Sequence, residues 1–185
     1  MAKDEYYGVH GWLVERVGRR GGEAVYAFFA CTLALTVSGL AAYAFQQPLL
    51  FPSLGPTALL FFERPMSPGS SPRNTLIGHL VAVLAGASCL YLFGLYDDPS
   101  ILREGVTLAR LGAAALSLAL AGAVLLLLRA SHPPAGATVL IVSLGLLKTP
   151  IELAMIMAGV AVLVAAGWLI NRALGTPFPV WYPKS

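Results

Sequence analysis

The chain has 185 residues, 57% of them hydrophobic and only 11% charged, with a formal net charge of +3 and a mean hydropathy of +0.75. Those values exclude a water-soluble domain, because too few polar side chains exist to cover one, and they put the chain in a lipid bilayer. The small basic excess does not point to nucleic acid, since the Lys and Arg residues flank apolar segments.

Met1 to Glu23 is polar and carries Lys3, Asp4, Glu5, Glu15, Arg16, Arg19 and Arg20 with no apolar core, so no cleavable signal is expected. Its stretch Tyr6 to Val17 mixes aromatic and charged residues. It reads either as an interfacial helix with Tyr6, Tyr7 and Trp12 at headgroup depth or as a partly ordered tail, with His10 solvated. Four long segments follow with little or no charge: Ala24 to Phe45, Thr75 to Tyr96, Leu111 to Leu128 and Leu153 to Ile170. Each is about the length of helix, roughly 20 residues, that spans a hydrocarbon layer of about 30 Å. Cys31 and Cys89 lie inside such segments as small apolar side chains and say nothing about redox compartment.

Between the long segments lie two shorter uncharged stretches, Pro48 to Phe62 and Pro133 to Leu147. As helices of roughly 15 residues they would reach only about 22 Å. Pro52 and Pro56 break the first, and Pro133 and Pro134 open the second. Each therefore reads either as a broken helix that crosses after an unwound start or as a re-entrant hairpin. At membrane depth irregular backbone is tolerated only where protein or a watery cavity covers it. The two stretches also match one another. At an offset of about 81 residues Pro52 falls on Pro133, Gly55 on Gly136, Thr57 on Thr138 and Leu59 on Leu140, while Gly78 and Gly86 fall on Gly159 and Gly167.

Glu63 to Arg73 and Tyr96 to Gly105 are polar loops, and Asn74 or Thr75 is placed to cap the helix after the first. Gly78, Ala82 and Gly86 form a small-residue stripe suited to close helix packing or to association between copies. Trp181 and Tyr182, followed by Lys184, anchor the tail at the interface. The expected organisation is an arm over 1–23, a membrane domain over 24–171 with repeats at 24–96 and 107–171, and an interfacial tail over 172–185. The fold class is an all-α integral membrane protein of two repeats, each a long helix, a broken or re-entrant short helix and a long helix. If the short stretches cross, six passages result and the second repeat is inverted. Lys and Arg then divide nine inside to three outside with the amino terminus cytoplasmic; with hairpins they divide eight to four. The positive-inside tendency favours the first.

A helix beginning inside the membrane presents unpaired N–H groups and the positive end of its dipole. Gly55, Thr57, Gly136 and Thr138 retain their amides, and the Ser53, Thr57 and Thr138 hydroxyls can replace part of a hydration shell. No acidic residue lies in these segments, so the expected ligand is a small monovalent anion rather than a cation. His79, inside a span, is a candidate proton acceptor or anion donor, against a neutral ring bonded to a carbonyl. His132, beside Arg129, either attracts anions or orients the turn through a ring N–H. No metal-ligand or nucleophile motif occurs, so neither enzyme activity nor a metal or cofactor is expected. A membrane-embedded enzyme using a histidine base and a non-transporting partner or sensor subunit stand as alternatives.

The blocks FPSLGPTALLF, SPRNTLIGHL and SHPPAGATVL, running with the intervening segments from Phe51 to Asn171, resemble the signature blocks of the HPP family of integral membrane proteins, named for the motif present here as His132, Pro133 and Pro134. The resemblance implies a small permease for a nitrite-like anion, since some members are associated with nitrite transport. Others carry a fused cytoplasmic regulatory domain, which is not expected here because the sequence stops soon after the last span. The expected location is a bacterial inner (plasma) membrane, in contact with lipid.

Overall fold

The computed structural model describes residues 7–47 and 49–183; the expectations placed on Met1 to Tyr6, on Pro48 and on Lys184 lie outside them. The described residues form helices and connecting turns: α1 (Gly8–Val17), α2 (Arg19–Phe45), α3 (Leu54–Glu63), a 3-10 turn (Pro68–Ser70), α4 (Pro72–Leu92), α5 (Ile101–Glu104), α6 (Leu108–Leu127), α7 (Ala135–Ser143) and α8 (Pro150–Ala173). Helices α2, α4, α6 and α8 have 27, 21, 20 and 24 residues with hydropathies of 1.8 to 2.5. At about 1.5 Å per residue each is long enough to cross a bilayer. The chain is an all-helical integral membrane protein.

Local chemistry sets the boundaries. Gly18, at φ 79°, breaks the chain between α1 and α2. Gln46 and Arg129 both take left-handed backbone at φ 50°, and each ends a long helix just before a short-helix stretch. Helix α8 opens with a capping box, in which Thr149 and Glu152 satisfy one another's backbone amides, and with Pro150 in its first turn. Helix α4 starts earlier than expected. Its cap is Ser71, whose Oγ accepts from the Asn74 amide at 3.2 Å with Pro72 next in line, so neither Asn74 nor Thr75 performs that role.

Side-chain contacts identify two ends of the bundle. At one, Tyr26 of α2 donates to Asn171 Oδ1 of α8 at 2.9 Å, and Asn171 Nδ2 reaches the Phe61 carbonyl of α3 at 3.4 Å. The α1 helix folds onto the same end. His10 is buried and stacks on Tyr26 at a centroid distance of 4.4 Å, which corrects the expectation of a solvated ring. Burial pushes its pKa below the ordinary value, opposed by the nearby Glu23 carboxylate. At the opposite end Lys148 Nζ donates to the carbonyls of Tyr96 and Asp98 at 2.5 and 2.7 Å. There Arg110 is fully buried and donates to the Pro99 carbonyl at 2.6 Å.

Helix α4 is the centre of the fold, half of its apolar window being buried against 22% for α2 and 28% for α6. It packs on α6, α7 and α8. Helices α2 and α6 turn Phe28, Phe29, Leu33 and Leu40, and Leu111, Leu118 and Leu126, outward, as a lipid-facing surface requires. The glycine stripe is occupied from within the chain. A Cβ on Gly78 would fall 2.8 Å from His132 Cβ, and one on Gly86 2.7 Å from Val142 Cβ. On α8, a Cβ on Gly159 would meet the Leu49 carbonyl oxygen at 2.5 Å and the Phe51 ring at 2.8 Å, and one on Gly167 the Phe61 ring at 2.5 Å. Glycine is needed at all four positions because another segment lies directly against the helix.

Candidate functional site

The close approaches at Gly78 and Gly159 bring the starts of α3 and α7 side by side against α4 and α8. His132 lies over Gly78, about 9 Å along α4 from its start, and Phe51 lies over Gly159, about 14 Å along α8 from its start. Five of the seven residues expected to bind ligand converge there, all 0 to 1% exposed. Ser53 Oγ and Thr138 Oγ1 are 2.7 Å apart, joining the two short-helix starts directly. Thr138 Oγ1 is 2.7 Å from His79 Nδ1 on α4. The other face of that ring, Nε2, is 3.2 Å from Thr57 Oγ1, which lies 3.4 Å from His132 Nε2 and donates to the Ser53 carbonyl at 2.9 Å. His132 Nδ1 closes the series on the Gly69 carbonyl at 2.7 Å, and a carbonyl can only accept, so that ring nitrogen carries a proton. The two imidazoles stand 5.0 Å apart at 60°.

Gly55 and Gly136 are placed differently. Each first helical turn is tightened so that Gly55 N–H reaches the Pro52 carbonyl at 3.4 Å and Gly136 N–H the Pro133 carbonyl at 3.0 Å; Leu54 and Ala135 amides are likewise bonded to Phe51 and His132. The amides expected to be bare are therefore occupied by the 3-10 geometry that the prolines impose. Both glycines are half-buried, and a Cβ on Gly55 would meet nothing within 4 Å. The polar functions at the helix starts are hydroxyls and imidazoles, not backbone amides. Pro52, Pro56 and Pro133 are exposed, whereas Pro134 is buried at the start of α7.

A cavity of about 400 Å³ opens at the end that carries α1. Its lining includes Arg64, Ser67, Gly69, Asn74, Arg129 and Ser131. The lining also includes Gly69, whose carbonyl accepts from His132, and Pro133, the residue after it, but none of the five clustered side chains. Arg73 buttresses the wall, donating to Asn74 Oδ1 at 2.8 Å and to the carbonyls of Arg129 and Leu128 at 3.1 and 3.3 Å, with its guanidinium over the Tyr182 ring. Asn74 Nδ2 reaches the Ser131 carbonyl at 3.4 Å, so Asn74 joins the loops rather than capping a helix. Among the described residues no cluster of His, Cys, Asp and Glu is arranged to hold a metal ion.

A family model, that of the HPP transmembrane region, matches residues 18–179. The chain belongs to the HPP transmembrane family. No curated protein and no solved structure matches it. In this HPP protein the named tripeptide has a definable structural part. His132 is the buried ring that bridges Gly69 and Thr57, and Pro133 and Pro134 set the turn from which α7 begins.

Sequence reading did not anticipate the parts played by Gly69, Arg64 and Asn171. Gly69 contributes only a carbonyl, which no residue type announces. Arg64 is a surface charge in the sequence and joins Arg129, already marked beside His132, in the cavity lining only when the α3–α4 and α6–α7 loops meet. Asn171, beside Arg172 at the end of the last apolar segment, links α2, α3 and α8.

Proposed function

We propose that this HPP membrane domain is a permease for a small monovalent anion, nitrite being the substrate that the family resemblance favours. The observation that carries the reading is the convergence of Ser53, Thr57, His79, His132 and Thr138 in one buried hydrogen-bonded cluster, where α3 and α7 begin, joined through Gly69 to a cavity lined by Arg64 and Arg129. Hydroxyls and ring N–H groups are the donors that replace an anion's hydration shell without a fixed countercharge. The arginines attract anions to the mouth.

In this reading the short helices complete two further passages, giving two three-helix repeats of opposite direction, with the amino terminus cytoplasmic. Reciprocal contacts support it. Gly78 seats His132 and Gly159 seats Phe51; Gly86 seats Val142 and Gly167 seats Phe61. Each pair becomes the other when about 81 residues are added to one member and removed from the other. Reciprocal contacts of that kind are what a two-fold relation between halves generates. The cluster itself is closed, so an anion passes only when the hydroxyl and imidazole contacts part. That suits a carrier that alternates between mouths better than an open pore. With the glycine stripe filled from within, association between copies falls to the surfaces left open around Gly55 and Gly122.

Purified protein in liposomes tests the reading. Uptake of labelled nitrite, nitrate or chloride above protein-free vesicles is expected, with at least a tenfold loss in Thr57→Val and Thr138→Val, which keep shape and remove the hydroxyls. Absence of flux for all three anions would leave a non-transporting membrane partner as the function.

A further inference from the structure

The cluster can be counted proton by proton, and the count does not close for neutral side chains. Its contacts are Gly69 carbonyl to His132 Nδ1, His132 Nε2 to Thr57, Thr57 to the Ser53 carbonyl, Thr57 to His79 Nε2, His79 Nδ1 to Thr138, and Thr138 to Ser53. Six contacts need six protons. Three hydroxyls and two neutral imidazoles supply five. The Gly69 carbonyl fixes one of these on His132 Nδ1, which leaves the Nε2 lone pair pointing at Thr57. Even with His79 protonated on Nε2 and donating to Thr57 at 3.2 Å, Thr57 has a single proton for two acceptors, the Ser53 carbonyl at 2.9 Å and His132 Nε2 at 3.4 Å. In the neutral state some contact sets lone pair against lone pair.

One added proton fills every contact. With His132 doubly protonated, its Nε2–H and His79 Nε2–H donate to Thr57 Oγ1, Thr57 donates to the Ser53 carbonyl, Thr138 donates to His79 Nδ1 and Ser53 donates to Thr138. Thr57 then accepts two bonds and donates one, the full capacity of a hydroxyl.

Among the described residues no carboxylate stands against either ring to balance that charge. From α4 the nearest charged group is Arg73; the loops around the cavity bring Arg64 and Arg129; among the described residues α3 and α7, with the turns before them, contribute Ser53, Thr57 and Thr138 to the cluster. Glu63, at the end of α3, instead faces the groove beneath α1 with Tyr7 and His10. A lone buried imidazolium beneath arginines is unfavourable, and so is a lone anion in a closed core. Together they form a neutral pair.

We propose that the His79–His132 cluster binds one proton with each monovalent anion, so that permeation is electroneutral proton–anion cotransport. This rests on the permease reading above. The proton passes from hydronium at one mouth to a ring nitrogen and back to water at the other, so an O–H bond is exchanged for an N–H bond on loading and the reverse on release.

Liposomes holding the full chain, with membrane voltage clamped by potassium and valinomycin, give the test. Nitrate and chloride are the probes, along with nitrite, and protein-free vesicles correct for permeation of the free acid. One-to-one coupling requires the inside-to-outside anion ratio to rise about tenfold for each pH unit by which the outside is more acidic. A trapped pH dye should report one proton entering per anion. His132→Asn, which keeps a donor for the Gly69 carbonyl, and His79→Gln should lose the pH-driven accumulation. The dye measurement on unaltered protein decides the matter even if those variants fail to fold. Uptake that follows voltage and ignores pH would overturn proton coupling while leaving the permease standing. No flux for any probe would overturn both.

Discussion

The starts of α3 and α7 are built alike and equipped differently. In each, a ring presses into a helix glycine, a proline tightens the first turn, and a threonine faces the centre: Phe51, Pro52 and Thr57 in one, His132, Pro133 and Thr138 in the other. The ring is a phenyl against Gly159 in the first and an imidazole against Gly78 in the second. On the neighbouring long helices His79 stands where α8 has Val160. Packing is thus matched across the two halves, while proton-carrying groups are gathered near one of them. The contrast separates what holds the backbone in place from what contacts the ion, and substitutions can address the two apart.

The largest effect is expected where the shared packing is broken. Gly159→Ala puts a Cβ 2.5 Å from the Leu49 carbonyl oxygen, a backbone atom that cannot step aside. Overpacking of this kind costs about 1–3 kcal/mol, and thermal unfolding in detergent should show it at the upper end. Gly78→Ala meets the His132 side chain at 2.8 Å and should cost less, because that residue lies on a loop outside any helix. Equal stability of Gly159→Ala and the unaltered protein would mean that the segment through Leu49 to Phe51 does not lie against α8.

The next effect comes from making the two starts identical. His132→Phe keeps a ring over Gly78 and removes the bonds to Gly69 and Thr57. Leaving a buried carbonyl without its donor costs about 1–3 kcal/mol. The expected outcome is a folded protein of lowered unfolding temperature with no anion uptake. Retention of uptake at half the unaltered rate or more would remove His132 from the site.

The sequence displayed the packing better than the hydrogen bonding, for physical reasons. Charge spacing marked α2, α4, α6 and α8 because a bilayer penalises every charge inside it. Pro52, Pro56, Pro133 and Pro134 marked the short helices because proline fits a helix only at its start, and Pro56 sits in the first turn of α3. Ser53, Thr57, His79, His132 and Thr138 were recognisable as polar groups in apolar surroundings, and the structure joins all five. The amides of Gly55 and Gly136 were misjudged because the carbonyls that occupy them lie one tight turn back, a matter of backbone angle rather than residue type. The burial of His10 is not legible in the sequence because it depends on Tyr26, a partner on another helix. Ser71 could have been read as the cap, since serine directly before proline is a common helix opening.

The smallest effect is expected at the glycines that the two starts share without using. Gly55 and Gly136 lie in the first turns of α3 and α7, and their amides bond to Pro52 and Pro133 carbonyls, contacts that alanine preserves. A Cβ on Gly55 meets nothing within 4 Å, and one on Gly136 meets only Leu118 Cδ1 at 3.5 Å, an ordinary contact. Neither glycine has the positive φ that would strain an alanine. Alanine is the better helix former by about 1 kcal/mol, so Gly55→Ala and Gly136→Ala should leave stability unchanged or slightly raised. Anion uptake should stay within about twofold of the unaltered rate. If uptake collapses in both while unfolding is unaffected, the space beside these glycines is where the ion passes. The backbone would then contact the ion after all, and the hydroxyl and imidazole cluster would be the packing that holds the two helix starts together.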